Sequence, residues 1–256
     1  KNTKNSSVTK AMQRFFEFFK RKNYGALWSN LLNRFYLSLN NMIHLNNIKP
    51  IPLIETPGGI SPASDTFGQQ LTFQRHKKYL VIAPSGKGKS TLLHIIYGLR
   101  NDFEGNLVID EKPVANFEYD DWSELRQDKL SIIFQDLRLF PALTAMENIQ
   151  LKANLKNFKT EAEIKKMAIQ LEVEHLLEKQ AKTLSYGQRQ RVAIIRALCQ
   201  PFDFLLLDEP FSHLDALNVK VASDLIETEV NKQKSGLILV SLEEKYHFSY
   251  DQELLL

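Results

Sequence analysis

Three kinds of hydrophobic pattern run along this chain, and each occupies its own stretches. Unbroken apolar runs at Tyr79-Leu80-Val81-Ile82, Phe204-Leu205-Leu206-Leu207 and Leu237-Ile238-Leu239-Val240 are too short to span a bilayer and read as buried strands. Leu130-Ser131-Ile132-Ile133-Phe134 is a weaker run of the same kind, Leu71-Thr72-Phe73 alternates like a short strand, and Glu104 to Asp110 has turn-then-strand character. Helical spacing dominates from Ala142 to about Lys182, where Thr144 and Glu147 stand at capping-box distance, and it returns at Val192, Ile195, Ala197 and Leu198. Between Asn46 and Phe67 the chain is rich in Pro, Gly and Ser, which predicts turns and edge strands.

The first residues carry a different pattern. Met12, Phe15, Phe16 and Phe19 recur at helical spacing, and after Asn23-Tyr24-Gly25 the period resumes at Trp28, Leu31, Leu32, Phe35 and Leu39. Two amphipathic helices are predicted, with Lys10, Arg14, Lys20, Arg21, Lys22 and Arg34 on their polar sides, forming a basic extension over residues 1–44. Its apolar stripe suits packing on the rest of the chain or on a partner, residues 10–40 also suit an anionic membrane surface, and an Arg-rich leader has the same composition.

Composition narrows the class. The 256 residues are 43% hydrophobic and 25% charged, ordinary globular values, and a formal charge of +3 does not call for nucleic acid as a partner. The single cysteine, Cys199, excludes an internal disulfide framework and suits a small core position in a reducing compartment. From Ala142 to about Lys182 no metal-ligand spacing occurs; His175 there reads as a surface or packing residue, and His76 as solvated.

Chemistry concentrates where strands end. The run at Tyr79 to Ile82 leads into Ala83-Pro84-Ser85-Gly86-Lys87-Gly88-Lys89-Ser90-Thr91 and then into a helix-like segment, the order strand, phosphate loop, helix. Loop N–H groups and the positive helix end favour an anion there; Lys89 can reach the β- and γ-phosphates of a nucleotide, and the Ser90 hydroxyl can ligate Mg²⁺. Ala83 replaces the first glycine of the pattern, which strains the loop if a positive φ is needed and serves if only small size is. At the end of another run, Asp208 is placed to organise Mg²⁺ and Glu209 to orient or deprotonate an attacking water. Gln135, at the end of the run from Leu130, can sit beside the same metal and water. Leu184-Ser185-Tyr186-Gly187-Gln188 opens a helix whose N-terminus makes a second anion site, so two copies sharing nucleotides are expected.

In this order the motifs resemble the nucleotide-binding domain of the ATP-binding cassette (ABC) family, over roughly Ile48 to the C-terminus. The resemblance implies a P-loop NTPase (RecA-like) α/β core with an inserted helical lobe, about residues 137–190, and a small antiparallel β subdomain, within a domain spanning 45–256. It implies an ATPase with ATP and Mg²⁺ as cofactors. Ser85, Gly86, Lys87, Gly88, Lys89, Ser90 and Thr91 would bind the phosphates. Ser185, Gly187, Gln188 and Asp215 would face the nucleotide of a second cassette, and Ser90, Gln135 and Asp208 would surround the metal. Expected partners are that second cassette, as a homodimer, and a separate transmembrane permease holding the chain at the inner face of the membrane. Leu125 to Leu130 and Phe140 to Ile149 look most like the lipoprotein-release and macrolide-export branch.

Two further departures from the family pattern bear on activity. Tyr186 replaces the first glycine of the signature. Leu242 stands where the family has a histidine that senses the γ-phosphate, and leucine cannot donate a hydrogen bond. Weak hydrolysis in a nucleotide-gated regulatory module is therefore the alternative reading, with His247 nearby in sequence. Phe67 and the proline-rich stretch before it align ambiguously with the adenine-stacking position.

Overall fold

The computed structural model describes residues 42–242 and 244–256, so the helices expected over residues 10–40 lie outside the described residues. Among the described residues, the chain forms two sheets with helices packed on them. The antiparallel sheet has β1 (Met42–Pro50) between β2 (Gln70–Gln74) and β4 (Phe103–Ile109), with the short β5 (Lys112–Pro113) beyond β4. Met42, Ile43 and His44, read from sequence as part of the extension, thus belong to the sheet. The expected edge strands of the proline-rich stretch are likewise replaced at its start by an inner one. The reason is burial: Ile43, Leu45 and Ile48 are fully enclosed, and Pro50 ends the strand instead of preventing it. Ile51–Ile54 then makes a single helical turn, α1.

The second sheet is parallel, in the order β6 (Leu130–Ile133), β7 (Phe204–Asp208), β8 (Gly236–Ser241), β3 (Lys78–Ile82), β9 (Gln252–Leu255). Strands β6, β7, β8 and β3 are apolar almost throughout because both faces are covered, whereas the edge strand β9 buries only Leu254. Leu205, Leu207, Leu237 and Leu239 face the core shared with α7 (Ala216–Gln233) and the helical lobe; Leu206, Ile238, Val240 and Val81 face the core shared with α2 (Lys89–Ile96) and the antiparallel sheet.

Between them comes α3 (Tyr119–Asp128), and the lobe inserted after β6 contributes α4 (Ala145–Lys156), α5 (Glu161–Gln170) and α6 (Tyr186–Leu198). Thr144 caps α4 and pairs reciprocally with Glu147, as the spacing predicts. A buried ion pair ties the lobe to α7, with Lys159 Nζ 2.8 Å from Glu229 Oε2. Cys199 is buried as core filler, and its thiol is pushed up to about 12 by that burial.

Register fixes where chemistry gathers. Ile82 pairs with Ser241, and Asp208 with Val240, while Ile133 pairs with Leu207. The strands therefore release Ala83, Glu209, Leu242 and the Phe134-Gln135 segment at one edge of the sheet, the carboxyl edge where α/β folds bind ligands.

Candidate functional site

A cavity of about 240 Å³ opens at that edge, lined by Ser85, Gly86, Gly88, Lys89, Ser90 and Thr91 of the loop and by Gln135, Glu209, Leu242 and Leu53. The loop is built on two left-handed glycines, Gly86 at φ 77° and Gly88 at φ 95°. A Cβ at position 88 would lie 2.7 Å from Leu53 Cδ1 and 2.9 Å from Phe67 Cε2, so only glycine fits there. Ala83 is not among the described residues with positive φ; it is buried, donates its N–H to Ser241 O and accepts from Lys89 Nζ at 2.9 Å. Small size, not left-handed backbone, is what this position requires.

Lys89 is 6% exposed, and its ammonium is shared between the carbonyls of Ala83 and Pro84 and the Glu209 carboxylate, 3.3 Å away. Glu209 itself adopts φ 46°, a strained backbone of the sort stored at reactive sites. Gln135 Nε2 reaches Glu209 Oε2 at 3.5 Å, the outer limit of a hydrogen bond. Lys87 does not line the cavity; its ammonium donates to Gly58 O at 2.6 Å on the exposed loop after α1.

Asp208 lines an adjoining cleft of about 420 Å³ with Ser90, His94, Gln135, Asp136, Arg138 and Tyr186. Burial raises its carboxyl to about 6, against the hydrogen bond from Ser90. Its Oδ1 is buried without a hydrogen-bond partner, an orphaned anionic oxygen beside a hydroxyl and an amide. That donor set fits Mg²⁺ completed by phosphate oxygens, and among the described residues no cluster of His, Cys, Asp and Glu offers an all-protein cage.

Ser185, Gly187, Gln188 and Asp215 line neither space. Ser185 is the exposed N-cap of α6: its Oγ accepts from Gln188 N while Gln188 Oε1 accepts from Ser185 N at 2.9 Å, leaving the Ser185 hydroxyl proton to donate outward. Asp215 caps α7 through Asn218, whose N–H groups hold the Asp215 carboxyl below its usual value.

Sequence reasoning missed Leu53, which a stretch without periodicity presents to the cavity. Phe67 is 2% exposed beneath Gly88, so it is a packing residue and not a stacking platform. His247 is exposed and lines neither space, and nothing places it as a substitute for the missing histidine. Leu242 does line the cavity, 46% exposed.

The family model described as ABC transporter matches residues 68–212. The chain is 37% identical over 175 residues to the aliphatic sulfonates import ATP-binding protein SsuB of Bacillus cereus, a match covering 68% of this chain and 66% of that protein. It is 34% identical over 178 residues to the macrolide export ATP-binding/permease protein MacB of Campylobacter jejuni, covering 68% of this chain and 28% of that one. Among solved structures, a dimeric bacterial ABC transporter cassette is similar with a TM-score of 0.66 at 28% identity, covering 78% of this chain and 87% of the other. A related one is a post-hydrolysis dimer bound to ADP and Pi, with a TM-score of 0.66 at 26% identity, covering 79% and 88%.

Proposed function

Because the chain belongs to the ABC transporter family, we propose that it is an ATP-hydrolysing subunit whose paired cassettes drive a separate transmembrane permease. The observation that carries this reading is a division of labour within one chain. The phosphate loop, Gln135 and Glu209 share one cavity, whereas Ser185 and Gly187, at the N-terminus of α6, line neither it nor the adjoining cleft. A second copy, head to tail, supplies each cavity with the half it lacks.

In this arrangement the loop amides and Lys89 hold the β- and γ-phosphates, and Glu209 takes the proton of the attacking water as Gln135 orients it. Mg²⁺, held by Ser90, Asp208 and Gln135, would neutralise charge on the phosphates. Among the described residues no helix is long and apolar enough to cross a membrane; attachment at the inner, cytoplasmic face is proposed to come through the permease. The basic residues 10–40 are proposed to assist by lying on that surface.

Steady-state phosphate release from the purified chain with MgATP tests the reading, beside its Lys89→Ala and Glu209→Gln forms and with light scattering for dimers. Turnover lost in both variants, and an ATP-dependent dimer in Glu209→Gln, are expected. Turnover that survives Lys89→Ala would overturn it.

A further inference from the structure

Helix α6 holds the segment after β6 from two directions. At its far end Arg196 donates to Leu137 O at 2.5 Å and to Arg138 O at 2.6 Å, two residues whose φ values of 61° and 45° need such support. At its N-terminus the Tyr186 hydroxyl donates to Gln135 O at 2.7 Å. The same ring lies on His213, centroids 4.0 Å apart, and the N–H of His213 is held by the buried Gln190 at 3.3 Å. Gly187 packs so closely on the His213 carbonyl that a Cβ there would sit 3.1 Å from it.

The contact matters because Gln135 meets Glu209 at 3.5 Å, where a displacement of a few tenths of an ångström makes or breaks the hydrogen bond. A tyrosine at a partly exposed helix start is not placed there by burial. Here it bridges three separate segments: the one carrying Gln135, the one that meets a second copy, and the loop leading to Asp215.

We propose that Tyr186 is a positioning residue that fixes the Gln135 backbone against Glu209 and yokes it to the signature end of α6. Movement of that end, on meeting the partner's nucleotide, is thereby transmitted to this chain's own water-orienting amide. The inference rests on the head-to-tail reading above.

Tyr186→Phe tests it, since the ring and its stack on His213 remain and only the hydroxyl is lost. Expected are a kcat about three- to tenfold lower, the loss of one hydrogen bond, with KM for ATP within about twofold. The same substitution in a Gln135→Ala background should cost nothing further. Amide hydrogen exchange over residues 135–138 should quicken in Tyr186→Phe whether or not the parent turns over, which separates failure of this inference from failure of the ATPase reading. Unchanged exchange there, or an unchanged kcat in a parent that hydrolyses ATP, overturns it.

Discussion

Lys89 and Glu209 form an ion pair across the phosphate loop, Nζ to Oε1 at 3.3 Å. Under the proposed function, nucleotide phosphates would draw the ammonium away from the carboxylate as they bind, and that exchange would release Glu209 to act on water. In Glu209→Gln, ATP should bind at least about threefold more tightly, because a charged competitor is gone, while turnover falls about a hundredfold or more. Equilibrium binding beside phosphate release checks both halves; unchanged turnover would remove Glu209 from catalysis.

Leu242 lines the same cavity and has no polar atom to offer a γ-phosphate. Leu242→His should raise kcat by at least about tenfold, which one hydrogen bond to a charged phosphate oxygen can supply. At 46% exposure the change should alter unfolding free energy by no more than about 0.5 kcal/mol. Equal turnover of parent and variant would show that another group already does this work.

The loop separates the two roles of glycine. Ala83→Gly, though it restores the family residue, should cost about 0.5–1 kcal/mol of stability and gain no activity, because φ there is not positive. Gly88→Ala meets both a φ of 95° and the side chains of Leu53 and Phe67, and should cost more than about 2 kcal/mol. Denaturant titration of the two variants distinguishes the cases.

Asp203, at the entry to β7, is raised to about 6 by burial, which outweighs the attraction of Arg75 with Nη1 3.0 Å away. The folded state thus holds this proton more tightly than the unfolded chain does. Its contribution to stability is full below pH of about 4 and is lost as pH rises through about 6. Relative to the parent, Asp203→Asn should gain about 2 kcal/mol between those limits. A difference that stays flat from pH 4 to pH 6 would contradict the burial argument.

Several features of the site were legible as sequence because they depend on neighbours a few residues apart. The spacing from Gly86 to Thr91 encodes the turn and the helix start, and Leu184 to Gln188 encodes the opening of a second helix; both helices begin where these residues predict. The inner position of Met42–Pro50 was not legible, since prolines mark local breaks but not which strand lies between two others. Phe67 likewise read as a possible stacking residue until packing placed it under Gly88.

By itself the sequence determined the phosphate loop, the buried strands, the capped helices and the family that these motifs in this order identify. Only the tertiary structure decided that Gln135 reaches Glu209, that Tyr186 holds Gln135, and that Leu242 and Leu53 share a cavity with Lys89. The physical reason lies in the sheet. Apart from the edge strand β9, its strands are similar runs rich in Leu, Ile and Val, so their order and register come from long-range packing on two faces, and that order brings distant strand ends to one edge.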